Sequence, residues 1–233
     1  MPPTIRPRDA ASLLLLKKGA RGPSVLMGRR PPSSSFIPDA FVFPGGKVDR
    51  QDREIPCPLP LASTTARALQ SGASTTANAA RALANAAIRE TYEETGLLVA
   101  QKTAFQPGPG GTWHDFEARG LCPDLSALRL IGRAITPSVS PVRYHARFFA
   151  ADAAHARGRI QSNQELLDLA WYPIEEALRL PIIDVTRFML EETLRWGRSS
   201  AGWNGRQPRR RLFVRYRREI PIVGYEGSPP TRA

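Results

Sequence analysis

"AAIRETYEETGLL", residues 86–98, places Glu90, Glu93 and Glu94 within five positions and ends its helical pattern at Gly96. At about 100° per residue the three carboxylates fall within an arc of about 100°, so they share one helix face over roughly one turn. Each like-charge pair at that spacing costs roughly 0.2–0.5 kcal/mol. The C-terminal end of a helix also carries partial negative charge, which adds to the cost. Arg89 can pair with Glu93 one turn on, but one guanidinium does not neutralise three carboxylates. Such a broken local rule is expected where function overrides stability, and the simplest compensation is a divalent cation held by oxygen ligands. A plain solvated acidic face is the alternative.

The helix itself is the strongest in the chain. "TANAARALANAAIRETYEETG" (76–96) is rich in alanine, with Thr76 or Asn78 as N-cap and Gly96 as the stop. Upstream, "ASLLLL" and "SVLMGRR" read as two strands joined through "KKGARGP", and "RPPSSSFIP" reads as loop. "AFVF" is a short strand running into "PGGKVD", whose glycine pair allows a close backbone approach. From Arg50 to about Thr76 the sequence is polar, with Pro56, Pro58 and Pro60 before a weak helical pattern around "TTARALQ". It reads as an insertion, either part of a substrate cleft or a tolerated surface excursion. Downstream come a strand at "LLVA", an irregular stretch over 101–127 with a short helix near "WHDFEARG", and strands at "LRLIGRAITP" and "VRYHARFFAA". "LDLAWYP" leads into helices at "IEEALRL" and "DVTRFMLEETLRWG".

With 233 residues, 42% of them hydrophobic, the chain can bury one sizeable core, and one elaborated domain is expected. Only Cys57 and Cys122 occur, and no Cys or His cluster has zinc-site spacing, so a disulfide framework and a zinc site are both unsupported. The run "LLLL" at 13–16 is far short of the ~20 residues that span a bilayer. A cytoplasmic protein without membrane contact is therefore expected. The net charge of +12 is almost all arginine, and Arg206, Arg209, Arg210, Arg211, Arg215, Arg217 and Arg218 supply much of it from one C-terminal stretch. That stretch keeps nucleic-acid binding open as an alternative, although the main expectation is a small anionic substrate.

"FVFPGG" and "RETYEETGLL" together resemble the Nudix box, with Gly46, Arg89, Glu90, Tyr92, Glu93, Glu94, Gly96 and Leu97 in the corresponding places. The second half matches completely. The family pattern has 13 residues between its Gly and its Arg; this chain has 42, about 29 of them inserted. The first acidic position of the box falls on Arg81 when counted back from Arg89 and on Asp52 when counted forward from Gly46. It is therefore either missing or supplied from the insertion. A box interrupted in this way, followed by "AITPSVSPVRYHARFFAA" and "ELLDLAWYPIEEAL", is similar to the Nudix-19 type, a subgroup that includes coenzyme A diphosphatases. His145 and Ala146 depart from the Asp-Thr of that subgroup. Asp39 stands where a coenzyme A pattern of another subgroup has glycine.

The resemblance covers roughly residues 9–195. It implies an α+β fold, an α/β/α sandwich with a mixed, curved β-sheet between helices. The expected layout is one Nudix domain over 1–205, with insertions at about 50–77 and 101–127, and an Arg-rich segment over 206–233. The activity implied is metal-dependent hydrolysis of a diphosphate linkage in a nucleoside diphosphate derivative, with coenzyme A and acyl-CoA among the candidates. A catalytically weak Nudix-fold binding or regulatory module is the alternative. Glu93 and Glu94 are the leading ligands for Mg²⁺ or Mn²⁺, Glu90 is a third ligand or the general base, and the carbonyls of Gly45 or Gly46 complete the coordination. Arg89 orients Glu93, and Glu165 brings another carboxylate from a neighbouring loop. Arg30, Arg143 and Arg147 offer forks suited to phosphate. Along "VRYHARFF", alternation sets Arg143, His145 and Arg147 on one face and Tyr144 and Phe148 on the other. Trp171, Phe188, Met189, Leu190 and Leu194 suit a core, and Trp196 and Trp203 either cover it or meet a second copy in a homodimer.

Overall fold

The computed structural model describes residues 5–19, 22–73, 75–104, 106, 111–197 and 207–227; Trp203 and Arg206 lie outside the described residues. Strands β1 (Arg8–Gly19) and β2 (Gly22–Arg29) form the antiparallel hairpin expected around "KKGARGP". Two short strands attach to it. β3 (Phe41–Val42) pairs with β2, and β4 (Gly45–Lys47) pairs with β1, setting Gly46 opposite Ala11. Because only Phe43 and Pro44 join these two strands and the glycine pair opens β4, the diglycine bend is fixed to the sheet rather than left in a loop.

The stretch after the bend folds into helices α1 (Arg50–Glu54) and α2 (Ser63–Ala73), with Asp52, Ile55, Thr65, Ala68 and Leu69 buried. Then comes α3 (Ala77–Thr95), capped by the Thr76 hydroxyl, which accepts from the Ala79 N–H. Its end is Gly96, at φ 73° with its N–H donating to the Tyr92 carbonyl. A left-handed residue closing the last turn is what glycine supplies without steric cost.

Strand β5 (Leu98–Lys102) is the middle of a small sheet, flanked by β6 (Leu121–Pro123) and β9 (Ala156–Arg157), with α4 (Thr112–Ala118) between the first two in sequence. Strands β7 (Arg129–Ile135), β8 (Tyr144–Asp152) and β10 (Leu167–Pro173) belong to the main sheet, and helices α5 (Ile174–Ala177) and α6 (Asp184–Gly197) follow. The Arg-rich segment, to which no element is assigned above, forms a hairpin of β11 (Arg211–Arg217) and β12 (Ile220–Glu226).

Among the described residues the main sheet runs β10-β2-β1-β8-β7-β11-β12, with β3 and β4 attached at one side. The β1–β8 and β7–β11 pairs are parallel and the rest antiparallel. Strand β1 sits in the middle, and its apolar run is buried on both faces: Leu13 and Leu15 pack in the core beneath α3, Leu14 and Leu16 in the core beneath α5 and α6. A strand covered on both sides reads as a continuous apolar run rather than an alternating one. The architecture is thus the expected mixed sheet between two helical layers. Among the described residues, no helix is long and apolar enough to cross a membrane.

Candidate active site

Helix α3 crosses one face of the sheet so that its last two turns lie against the diglycine bend. The Arg89 guanidinium, 3% exposed, is the centre of this region. Its Nε donates to Asp52 Oδ1 and its Nη2 to Asp52 Oδ2, both at 2.9 Å; Nη2 also donates to the Lys47 carbonyl at 3.0 Å, and Nη1 to Glu93 Oε2 at 2.8 Å. Glu90 Oε1 lies 2.9 Å from the same Nη1. Burial works against the charge on Arg89, but the hydrogen bonds to Asp52 and the charges of Glu90, Asp52 and Glu93 outweigh it, and its pKa rises. Of the two readings of the missing acidic position, the structure brings Asp52 to Arg89, while the Arg81 Nη2 donates to the Arg53 carbonyl instead.

The three glutamates have different surroundings. Glu94 Oε2 accepts from the Gly45 N–H at 2.9 Å. Glu90 presses on Gly46 so closely that a Cβ there would lie 2.5 Å from Glu90 Cδ. Glu93 is held on both oxygens, by Arg89 and by the Thr112 hydroxyl of α4. Burial pushes the Glu94 carboxyl up to about 8, opposed by the Gly45 N–H and reinforced by the charges of Glu90 and Glu165. Burial likewise raises Glu90 to about 7, with Arg89 opposing and Glu93 adding. Glu165 is exposed on the loop before β10, near enough for its charge to act on Glu94.

Among the described residues, no three carboxylate, imidazole or thiolate side chains stand close enough together to hold an ion as they are. The donor set still fits a hard divalent cation in type. It consists of buried carboxylates whose negative charge exceeds what Arg89 balances, beside backbone carbonyls. Glu93 keeps acceptor capacity despite its two bonds, since an ionised carboxylate has about four lone-pair sites.

The bend opens on a cleft of about 520 Å³ on the opposite face of the sheet, where Gly45, Gly46 and Lys47 meet Arg30, Phe36, Tyr144, Phe148, Asp184 and Tyr216. Arg30 donates from Nε to Ser34 Oγ and sits 5.6 Å from the Phe36 ring centre. Phe36 in turn meets Tyr144 edge to face at 5.7 Å. Arg143 and Arg147 lie on the other side of β8 from this cleft. Tyr144, Ala146 and Phe148 line the cleft, so the odd-numbered side chains of β8 point to the other face. There the buried Arg147 pairs with Asp9 at 2.8 Å, and Arg143 donates to the carbonyls of Thr136 and Ile5. His145 lies with them, 2.9 Å from Arg133. Burial and the charges of Arg147 and Arg133 push its pKa down to about 3, so it is neutral.

Thr112, Asp184 and Tyr216 are absent from the reading of the sequence. Thr112 is 19 positions from its partner, and Tyr216 belongs to the segment set aside for its arginines. Alternation along "LFVRYR" was the available signal, since it marks a strand with Leu212, Val214 and Tyr216 on one side.

No protein-family model and no curated protein matches the sequence. Solved structures do. The crystal structure of a Nudix hydrolase from Alicyclobacillus acidocaldarius is 28% identical, with a TM-score of 0.63 over 81% of this chain and 91% of that one. The mutator MutT protein from Bacillus halodurans is 15% identical, with a TM-score of 0.48 over 94% and 96%. The sheet, its helical layers and this likeness define the fold as that of the Nudix hydrolases. The chain is accordingly a Nudix-type pyrophosphohydrolase, an enzyme acting on acid anhydrides in phosphorus-containing compounds.

Proposed function

We propose that the chain cleaves the diphosphate linkage of a nucleoside diphosphate derivative with the help of Mg²⁺ or Mn²⁺. The observation that supports it is the meeting of Glu90 and Glu94 with Gly46 and Gly45 at the edge of an aromatic-lined cleft. Bound there, a divalent ion would neutralise phosphate charge and lower the pKa of the attacking water. Glu93 and Glu94 supply the oxygen ligands, with Glu165 reaching in from its loop and the Gly46 carbonyl beside them. Glu90, with its carboxyl near 7, takes the proton from water, because a base works best with a pKa close to the operating pH. Arg89 holds Glu93 and Glu90 in place without touching substrate. Arg30, on the cleft side, meets a phosphate. Coenzyme A and acyl-CoA belong to the substrate class, and the "AITPSVSPVRYHARFFAA" likeness favours testing them first.

The test is a panel of coenzyme A, acyl-CoA, ADP-ribose, NADH, diadenosine polyphosphates and nucleoside triphosphates with either metal, read by the mass of the products. Glu93→Gln should lower turnover by about 10²–10³-fold, the worth of several kcal/mol of lost charge stabilisation. Absence of turnover of every member with both metals would overturn the proposal.

A further inference from the structure

The floor of the cleft runs across four adjacent strands. It begins at Ala10 and Ser12 of β1, next to the diglycine bend, continues through β8 and β7, and ends at Tyr216 of β11. Three strand spacings separate β1 from β11, or about 14 Å. Register confirms that these positions share a face. Ala134 pairs with Ala146 across β7 and β8 and with Val214 across β7 and β11, so Tyr216, two residues beyond Val214, points the same way. Its ring is half-buried, packed at the edge of the core that contains Leu212 and Val214. Asp184 opens α6 and lines the same cleft. Burial and the nearby Asp184 charge both raise the Tyr216 phenol.

We infer that the C-terminal hairpin completes the substrate cleft, with Tyr216 and Asp184 forming a subsite for an amino-bearing nucleobase at the end away from the glutamates. An aromatic face stacks on any base, whereas a carboxylate accepts hydrogen bonds and so favours a base that presents an amino group. The diphosphate would then lie toward Arg30 and the diglycine bend, with the pentose between. The inference takes its ligand class from the proposed reaction, but the binding it describes does not require turnover.

Calorimetry on the full chain tests it, with AMP and purine riboside 5′-monophosphate as probes; the second carries hydrogen in place of the amino group. The wild-type chain should prefer AMP by about tenfold, the difference a single well-placed hydrogen bond makes. Asp184→Ala, which removes the acceptor, should erase that preference. Tyr216→Ala should weaken both nucleotides by about tenfold or more, and Tyr216→Phe, which keeps the ring, should bind both within a few-fold of wild type. Thermal melting of each variant identifies any that fails to fold. Equal binding of AMP by wild type, Tyr216→Ala and Asp184→Ala would overturn the inference, as would no AMP binding by the wild type. Intact, variant-sensitive AMP binding without hydrolysis of the panel would instead defeat the catalytic proposal alone.

Discussion

Arg89 and Asp52, separated by 37 positions, meet through two parallel hydrogen bonds of 2.9 Å, with the arginine 3% and the aspartate 0% exposed at the side chain. The pair fastens helix α1 to the glutamate-bearing helix α3. Asn85 reinforces the same junction by donating to the Asp52 carbonyl at 2.9 Å.

Removing the acid should therefore be costly. Asp52→Ala leaves a guanidinium buried with two of its bonds lost, and breaking a buried pair from one side costs about 3–5 kcal/mol. Chemical denaturation should show a loss of that size, together with weaker metal binding as Arg89 turns more fully toward Glu90 and Glu93. A loss below about 1 kcal/mol, the range of an exposed pair, would refute this account.

The two glycines of the bend should fail in different ways. A Cβ on Gly45 would lie 2.5 Å from the Ala11 carbonyl oxygen and 2.6 Å from Ser12 Cα, so backbone must move. Gly45→Ala should cost about 1–3 kcal/mol of stability, as overpacking does. The three atoms nearest a Cβ on Gly46 all belong to the end of the Glu90 side chain, which can swing aside. Gly46→Ala should melt near the wild-type temperature yet lose most hydrolysis, because the carboxyl assigned to the attacking water has been displaced. Equal losses of stability in the two variants would contradict the distinction.

Glu90 near 7 and Glu94 near 8 also set a pH dependence. Both values lie above that of an unfolded glutamate, so the folded state favours the protonated forms. Their contribution to stability is complete below the unfolded value of about 4.5 and is lost as pH rises through 7 and 8. A divalent ion among the ionised carboxylates offsets that loss. Added Mg²⁺ should barely move the melting temperature at pH 5.5 and should raise it clearly at pH 8.5. An equal effect at both pH values would rule out Glu90 and Glu94 as the groups involved.

The helix 77–95 and its caps were readable from composition and Gly96 because both signals are local. So were most strands, whose apolar runs are marked off by Gly and Pro. Position 52 stayed ambiguous. Spacing alone cannot say where the stretch after the bend folds, and it is tertiary packing that buries Asp52 beside Arg89. The side of the sheet on which Arg143 and Arg147 lie was open for a related reason. Alternation showed that they share a face, but which face holds the cleft depends on where β4 and α6 pack. The hairpin at 211–226 went unread because seven arginines drew the reading toward charge, although only alternate positions of β11 face solvent.

The parallel pairing of β1 with β8 has a consequence for how the chain is made. Arg8 waits for Tyr144 and Leu16 for Asp152 before the central ladder can zip. During synthesis the four-leucine run therefore emerges from the ribosome more than a hundred residues ahead of its partner strand, a long window in which chaperones can hold it and nascent chains can stick together.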